Sequence, residues 1–508
     1  MGKDFRPNIH FTSPKNWIND PNGMVYFNGE YHLFYQHYPE ATNWGPMHWG
    51  HAVTRDLIHW EHKPVALYPD ELGFIFSGSA VIDKENVSGF GINGKPPIVA
   101  VFTNHGLEDG REVQSIAYSL DYEHFEKYYG NPVIVNEEKN DFRDPKVFYN
   151  PIKNGFSLVV AAGEEVEFYF SKNLKDWEKT EEFKAGVNGF GGICECPDCF
   201  PLETEEGTKW VLIISMIIPN EKRNRPMSEG GHFMSHVTQY YIGDFDGSAF
   251  IDTERCEEPM LLDFGTDNYA AVTFQNLDEK VMMGWGDNWA YANETPSKEF
   301  SGKMTLARKM AIVKTDRGLR VSFVPEGLDK YRINKREITD GYRLHTECFG
   351  ILTEGEGSVR LYNENGEEII IKIDENEVFF DRSRAGLKDF NDTFASESYN
   401  KLMARRLIKG RCKTEIIFDT SFIEVFADDG LMPISASVYY ILNELTGIAL
   451  CGNSSNPCLN IAAVPGNPSA ANTDGFGETR IVIGTIRITP MPNRGALQAH
   501  YRADFINA

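Results

Sequence analysis

The chain has 508 residues, a formal net charge of −24 and 41% hydrophobic residues. That length exceeds one small core and favours two domains, or a repeat domain with a smaller companion. The acidic balance argues against nucleic acid and anionic membranes as main partners, since both reward positive patches, and leaves neutral sugars open. Aromatic residues at 13% and 45 glycines fit an all-β architecture, in which aromatics pack on pleated surfaces and glycine serves turns. Eight cysteines in so long a chain do not make a disulfide scaffold. No apolar leader precedes the first motif, and the longest nearly apolar run, Trp210 to Ile218, is too short to span a bilayer. The expectation is a soluble, cytoplasmic protein, with secretion the alternative if a signal has been removed.

The first informative stretch is Asn16-Trp17-Ile18-Asn19-Asp20-Pro21-Asn22-Gly23. Pro21 pushes Asp20 towards an extended backbone, and Asn22 and Gly23 can take positive φ. Asp20 is therefore expected at the mouth of a tight turn, with amides beside it and Trp17 as an apolar wall. A constrained acid among such groups suits carbohydrate chemistry; the competing reading is an Asx turn on the surface.

Strand-length runs bounded by turn residues follow: Glu30 to His37, Pro97 to Thr103, Phe156 to Ala162, Lys209 to Met216 and Lys280 to Trp285. Three segments repeat in order. Thr54 to Glu61, Ser119 to Glu126 and Ser171 to Glu178 share Ser/Thr, any residue, Asp/Asn, three residues, an aromatic and then Glu, and Tyr240 to Gly247 looks like a degenerate fourth copy. A period of roughly 50 to 65 residues with several strands each indicates propeller blades, four to six of them in about 330 residues. After about residue 335 the repeat is lost while short strands continue, at Ser358 to Tyr362, Glu367 to Ile373, Thr414 to Asp419 and Phe422 to Asp428. This reads as a separate β-sandwich, giving domains at 1–335 and 336–508. Residues 451–478, rich in Asn, Pro, Ser and Gly, read as a long surface loop.

Two further acidic motifs stand out because a propeller gathers remote residues at its axis. In Phe142-Arg143-Asp144-Pro145 the guanidinium is expected to keep the adjacent carboxylate ionised and oriented. In Cys194-Glu195-Cys196-Pro197-Asp198-Cys199 the glutamate lies in an apolar, Gly-rich setting that would raise its pKa and suit a general acid. The alternative there is a metal site built from three thiols.

These motifs resemble those of glycoside hydrolase family 32, the invertases, inulinases, levanases and related fructosyl enzymes, over roughly residues 8 to 490. Trp17 to Gly23 is similar to the family's nucleophile box, Phe76-Ser77-Gly78-Ser79-Ala80 to its sugar-contacting segment, Arg143-Asp144-Pro145 to its stabiliser motif and Glu195-Cys196-Pro197-Asp198 to its acid/base motif. The resemblance implies a five-bladed β-propeller followed by a C-terminal β-sandwich. It implies Asp20 as nucleophile, Asp144 as transition-state stabiliser and Glu195 as acid/base, with Asn19, Gln36, Trp44, Phe76, Ser77, Arg143 and Trp285 lining the fructose pocket. Retaining hydrolysis asks for two carboxyl groups roughly 5 Å apart with different proton affinities; Asp20 is expected to stay ionised and Glu195 to be raised. The implied activity is β-fructofuranosidase action on sucrose and/or fructo-oligosaccharides, with exo-inulinase, levanase or fructosyltransferase action on the same fold as alternatives and a catalytically dead sugar-binding propeller as the non-enzyme one. No cofactor or metal is needed. The expected partner is a substrate containing β-fructofuranosyl units, and a homodimer is compatible with the sequence. The segment Gly447 to Gln498 departs from the family pattern.

Overall fold

A computed structural model describes residues 5–136, 139–185, 190–223, 234–254, 256, 258–329, 336–337, 347–410, 412–440, 447–451, 458–463 and 484–487. Five four-stranded antiparallel blades come first. Blade 1 holds β1 (Asn16–Phe27), β2 (Glu30–Tyr38), β3 (His48–Thr54) and β4 (Glu61–Leu67); blade 2 holds β5 (Phe74–Ile82), β6 (Ile98–His105), β7 (Glu112–Ser119) and β8 (Glu126–Lys127). Blade 3 holds β9 (Phe142–Asn150), β10 (Gly155–Ala162), β11 (Glu165–Ser171) and β12 (Glu178–Lys184). Blade 4 holds β13 (Ile193–Thr204), β14 (Gly207–Ile217), β15 (His236–Phe245) and β16 (Phe250–Ile251), with β17 (Met260–Leu261) added to β15. Blade 5 comprises β18 (Tyr269–Thr273), β19 (Val281–Trp285), β21 (Arg308–Thr315) and β22 (Gly318–Pro325), while β20 (Phe300–Ser301) pairs in parallel with β1.

The sequence repeat is the turn from third to fourth strand. In blades 1 to 3 the side-chain oxygen of Asp56, Asp121 or Asn173 accepts two successive backbone N–H groups, as at Glu123 and His124. Leu57, Tyr122 and Leu174 take left-handed φ of 64°, 70° and 63° at equivalent places. Blade 4 lacks the hydroxyl but keeps the device, with Asp246 accepting from Ser248 and Ala249.

Polar ties close the ring close to its axis. Gly78 N–H donates to Asn22 Oδ1 at 2.9 Å between blades 1 and 2, and Ser79 Oγ donates to Pro145 O at 2.7 Å between blades 2 and 3. The fully buried Lys146 Nζ lies 2.9 Å from Asp198 Oδ2 and donates to Thr273 O at 2.6 Å, while Thr273 N–H and Oγ1–H donate to the same carboxylate at 2.6 and 2.8 Å. One ion pair thereby joins blades 3, 4 and 5. Gln275 N–H to Met24 O, at 2.9 Å, completes the circle.

The sandwich stacks two sheets. Its strands are β23 (Arg336–Glu337), β24 (Cys348–Glu354), β25 (Gly357–Tyr362), β26 (Glu368–Ile373), β27 (Glu377–Arg384), β28 (Lys401–Arg405), β29 (Lys413–Asp419), β30 (Phe422–Ala427), β31 (Met432–Ser437), β32 (Gly447–Cys451), β33 (Cys458–Ala463) and β34 (Gly484–Arg487). One sheet runs β23-β34-β33-β24-β29-β30-β31 and the other β28-β27-β26-β25-β32, with Phe349, Ile371, Phe380 and Val425 among the buried residues between them. β33 falls within the stretch expected to be a loop: Ile461 pairs with Ile351 inside the sheet, so alternation of small and apolar residues prevails over loop-like composition there. The rest of that stretch, and of the 447–498 segment beyond β32 to β34, lies outside the described residues. Buried ion pairs weld the domains: Arg308 reaches Asp263 and Glu424 at 2.9 Å each, and Arg382 reaches Asp267 at 3.2 Å.

Candidate active site

Asp20 is not at a turn mouth. It lies within β1, and only Gly23 of the expected pair has positive φ, at 53°. What aims the acid is a β-bulge: the β1–β2 register slips between Ile18 and Pro21 and again between Asn22 and Val25. The innermost strand of every blade slips in the same region, between Ile75 and Gly78, opposite Val159 and Ala161, between Glu195 and Asp198, and between Tyr269 and Val272. Pro145 and Pro197 sit inside two of these bulges, where a missing N–H breaks no ladder bond, and Pro21 flanks the first, opposite Tyr35. Asp144, Cys196 and Ala270 adopt left-handed φ of 65°, 44° and 53°, strain of a kind that clusters at functional sites.

The bulges turn side chains into one cavity of about 620 Å³ at the axis. Asn19, Asp20, Gln36, Trp44, Phe76, Ser77, Arg143, Asp144 and Glu195 all line it. Trp285 does not. It is completely buried, packed between Trp17 and Trp289 at ring-centroid distances of 5.9 and 4.8 Å, and of these three tryptophans Trp289 is the one that faces the cavity. Strand alternation turned Trp285 into the core; Trp289 lies in an irregular segment with no periodic signal.

Asp20 is held from two sides. Ser77 Oγ donates to Oδ2 at 2.6 Å and Asn19 Nδ2 to Oδ1 at 3.0 Å, with the Asn19 amide itself oriented by Trp17 Nε1 at 2.7 Å. Cys196 N–H donates to Asp144 Oδ2 at 3.0 Å, and the Cys196 thiol lies 3.5 Å from both Asp20 Oδ2 and Asp144 Oδ2, so these two oxygens are within twice that distance of each other. Glu195 Oε1 accepts from Arg143 Nη2 and Nε at 3.0 and 3.2 Å, and Oε2 accepts from Tyr269 O–H at 2.5 Å.

Burial dominates the electrostatics. It raises the Asp20 carboxyl above its ordinary value, against the pull of the Ser77 and Asn19 hydrogen bonds and with the Glu195 charge adding to it. Asp144 is pushed up to about 8, again by burial first; the neighbouring Arg143 charge opposes this without overcoming it, and Asp20 and Glu195 reinforce it. The expectation that Arg143 holds Asp144 ionised is therefore corrected, because the guanidinium spends its hydrogen bonds on Glu195, Glu112 and Asp141. The expected ionised state of Asp20 likewise meets an opposing burial cost.

The three thiols do not share a centre. Cys194 and Cys199 pack in the apolar core between blades 3 and 4, while Cys196 packs with Trp17, Tyr269 and Trp285, its thiol 3.5 Å from Asp20 and Asp144. Among the described residues one acidic triplet, Glu165, Glu167 and Glu182, has metal-compatible spacing; Glu167 is already paired with Lys139 and Lys179 at 2.5 and 2.8 Å. Tyr269, Trp289, His105 and Glu112 are site residues that sequence reasoning missed. None sits in a motif, and each arrives through blade geometry.

A propeller that gathers three carboxyl groups, amides and aromatic faces around one sugar-sized cavity is built for glycoside hydrolysis. Residues 10–322 match the Glycosyl hydrolases family 32 N-terminal domain, and residues 349–463 match Glycosyl hydrolases family 32 C terminal. The chain belongs to glycosyl hydrolase family 32. It is 38% identical over 463 residues to a levanase of Bacillus subtilis, spanning 85% of this chain and 66% of that protein. It is 32% identical over 498 residues to an extracellular exo-inulinase of Aspergillus awamori, spanning 86% and 89%. The crystal structure of exo-inulinase from Aspergillus awamori superposes with a TM-score of 0.81 at 29% identity, covering 91% of this chain and 99% of that one.

Proposed function

We propose that the protein is a retaining β-fructofuranosidase that releases terminal fructosyl units from sucrose or fructans. The observation that carries this is the convergence of Asp20, Asp144 and Glu195, from blades 1, 3 and 4, on one cavity. In the first step an Asp20 oxygen bonds to the anomeric carbon as the glycosidic C–O bond breaks, and Glu195 gives its proton to the departing oxygen. In the second, Glu195 takes a proton from water, the water oxygen bonds to the anomeric carbon, and Asp20 leaves as carboxylate. Asp144 holds fructosyl hydroxyls. Three acids so close cannot all be charged together. With Asp144 retaining a proton at neutral pH, the Ser77 and Asn19 donors favour charge on Asp20.

The levanase and exo-inulinase relatives favour fructan over sucrose as the natural substrate. A phosphorylated sugar fits poorly. The cavity is lined by six carboxyl groups (Asp20, Asp109, Glu112, Asp141, Asp144 and Glu195) against the three basic side chains Arg111, Lys139 and Arg143, with His105 besides.

Free fructose released from sucrose, inulin, levan and a sucrose phosphate tests the assignment. The three neutral substrates should yield fructose, and the phosphate should be the poorest. Glu195→Gln should lose about 10²- to 10⁴-fold in kcat on substrates with sugar leaving groups while keeping the fold. Full activity in that variant would remove Glu195 from the mechanism.

A further inference from the structure

Arg143 faces more anions than one cation needs. Its Nη2 and Nε meet Glu195, while Nη1 meets Asp141 Oδ1 at 2.6 Å and both oxygens of Glu112 at 3.3 Å. Glu112 is the first residue of β7 and lies across the hairpin from His105, whose Nδ1 is 3.3 Å from Glu112 Oε1. It is 5% exposed, on the cavity wall, and comes from a different blade from either Arg143 or Glu195. The Arg143 guanidinium engages both carboxylate oxygens of this buried glutamate, and His105 engages one.

That arrangement answers a chemical difficulty. A guanidinium 3.0 Å from a carboxyl group favours its ionised form. A general acid must keep its proton at the pH where the enzyme works. Two more carboxyl groups share the same guanidinium and occupy its Nη1 donors, while Nη2 and Nε orient Glu195.

We propose that Glu112, assisted by Asp141, is a positioning residue that balances the charge of Arg143 and thereby keeps Glu195 usable as the proton donor. This rests on the acid/base reading of Glu195. The other groups facing Glu195 are Tyr269 from blade 5, Asp20 from blade 1, Asp144 from blade 3, and Cys194, Cys196 and His236 from its own blade. None of them contacts Arg143 Nη1.

The test is the pH profile of kcat/KM on sucrose for the parent, Glu112→Gln and Asp141→Asn. Removing a negative charge from Arg143 leaves more of its field on Glu195, so the alkaline limb should move to lower pH. A displacement of about one pH unit is expected for Glu112→Gln and less for Asp141→Asn, whose side chain is 32% exposed and better screened. A structural role for Glu112 would lower the melting temperature and leave the limb in place; that result, or a limb that moves to higher pH, overturns the proposal. Should Glu112→Gln not fold, an unmoved limb in Asp141→Asn overturns it alone. Glu195→Gln run alongside separates the readings. Retained activity there refutes the acid assignment, whereas lost activity with unmoved limbs in the other two refutes only the charge-balancing role.

Discussion

Asp144 holds a proton that the same side chain would surrender in an unfolded chain. Its folded value of about 8 lies above the ordinary 3.8, so between roughly pH 4 and 8 only the unfolded state releases the proton, and folding stability falls as pH rises through that window. Asn cannot ionise, and its amide oxygen can still accept the Cys196 N–H. Asp144→Asn should therefore match the parent near pH 4 and exceed it above pH 8 by a few kcal/mol, read as the difference in melting temperature at the two pH values, while turnover collapses. The three acids were legible in the sequence because proline brands each one: Asp20-Pro21, Asp144-Pro145 and Glu195-Cys196-Pro197. Their environments were not. Which carboxyl group Arg143 would serve depends on the reach of its guanidinium across blades, and that reach passes over the adjacent Asp144 to Glu195.

At the scale of elements, the site is a property of strands that fail to pair regularly. The runs legible as strands, Glu30 to His37, Pro97 to Thr103, Phe156 to Ala162, Lys209 to Met216 and Lys280 to Trp285, are the second strand of each blade, whereas the bulged inner strands beside them carry no such regular pattern, and the one around Asp20 reads as a turn. A bulge leaves little trace in composition; the Asn-Gly pair that promised a turn instead relaxes a kink inside β1. Gly78 shows how tight these kinks are. A Cβ there would lie 2.1 Å from Val101 O, a backbone atom of β6 that cannot step aside alone. Gly78→Ala should cost about 1–3 kcal/mol in denaturant unfolding. It should also lower kcat, measured well below the melting temperature, because the shift displaces Ser77 from Asp20.

Over the whole molecule, the sequence disclosed blades and a sandwich but not what secures them, since the ties join residues hundreds of positions apart. Lys146 and Thr273 look like unremarkable strand residues, and Asp198 like the tail of the Glu195 motif, until they meet at the axis beneath the cavity. Lys146→Met leaves the Asp198 carboxylate buried without its cation and should cost about 3–5 kcal/mol, of which the double change Lys146→Met with Asp198→Leu should recover a large part. Chemical denaturation of the two variants checks this. The sandwich, although among the described residues none beyond Trp289 lines the cavity, grips the approach to blade 1. Asp419 accepts the backbone N–H groups of Asn8 and Ile9 at 2.7 and 2.8 Å, and Ser421 Oγ donates to Phe5 O at 2.5 Å. Among the described residues, the two of β20 are the strand that a later part of the chain adds to blade 1. During synthesis, then, the segment leading into blade 1 must wait for the ribosome to deliver the sandwich before Asp419 and Ser421 can hold it, and every emerging molecule passes through an interval in which a nearly finished wheel still lacks its clasp.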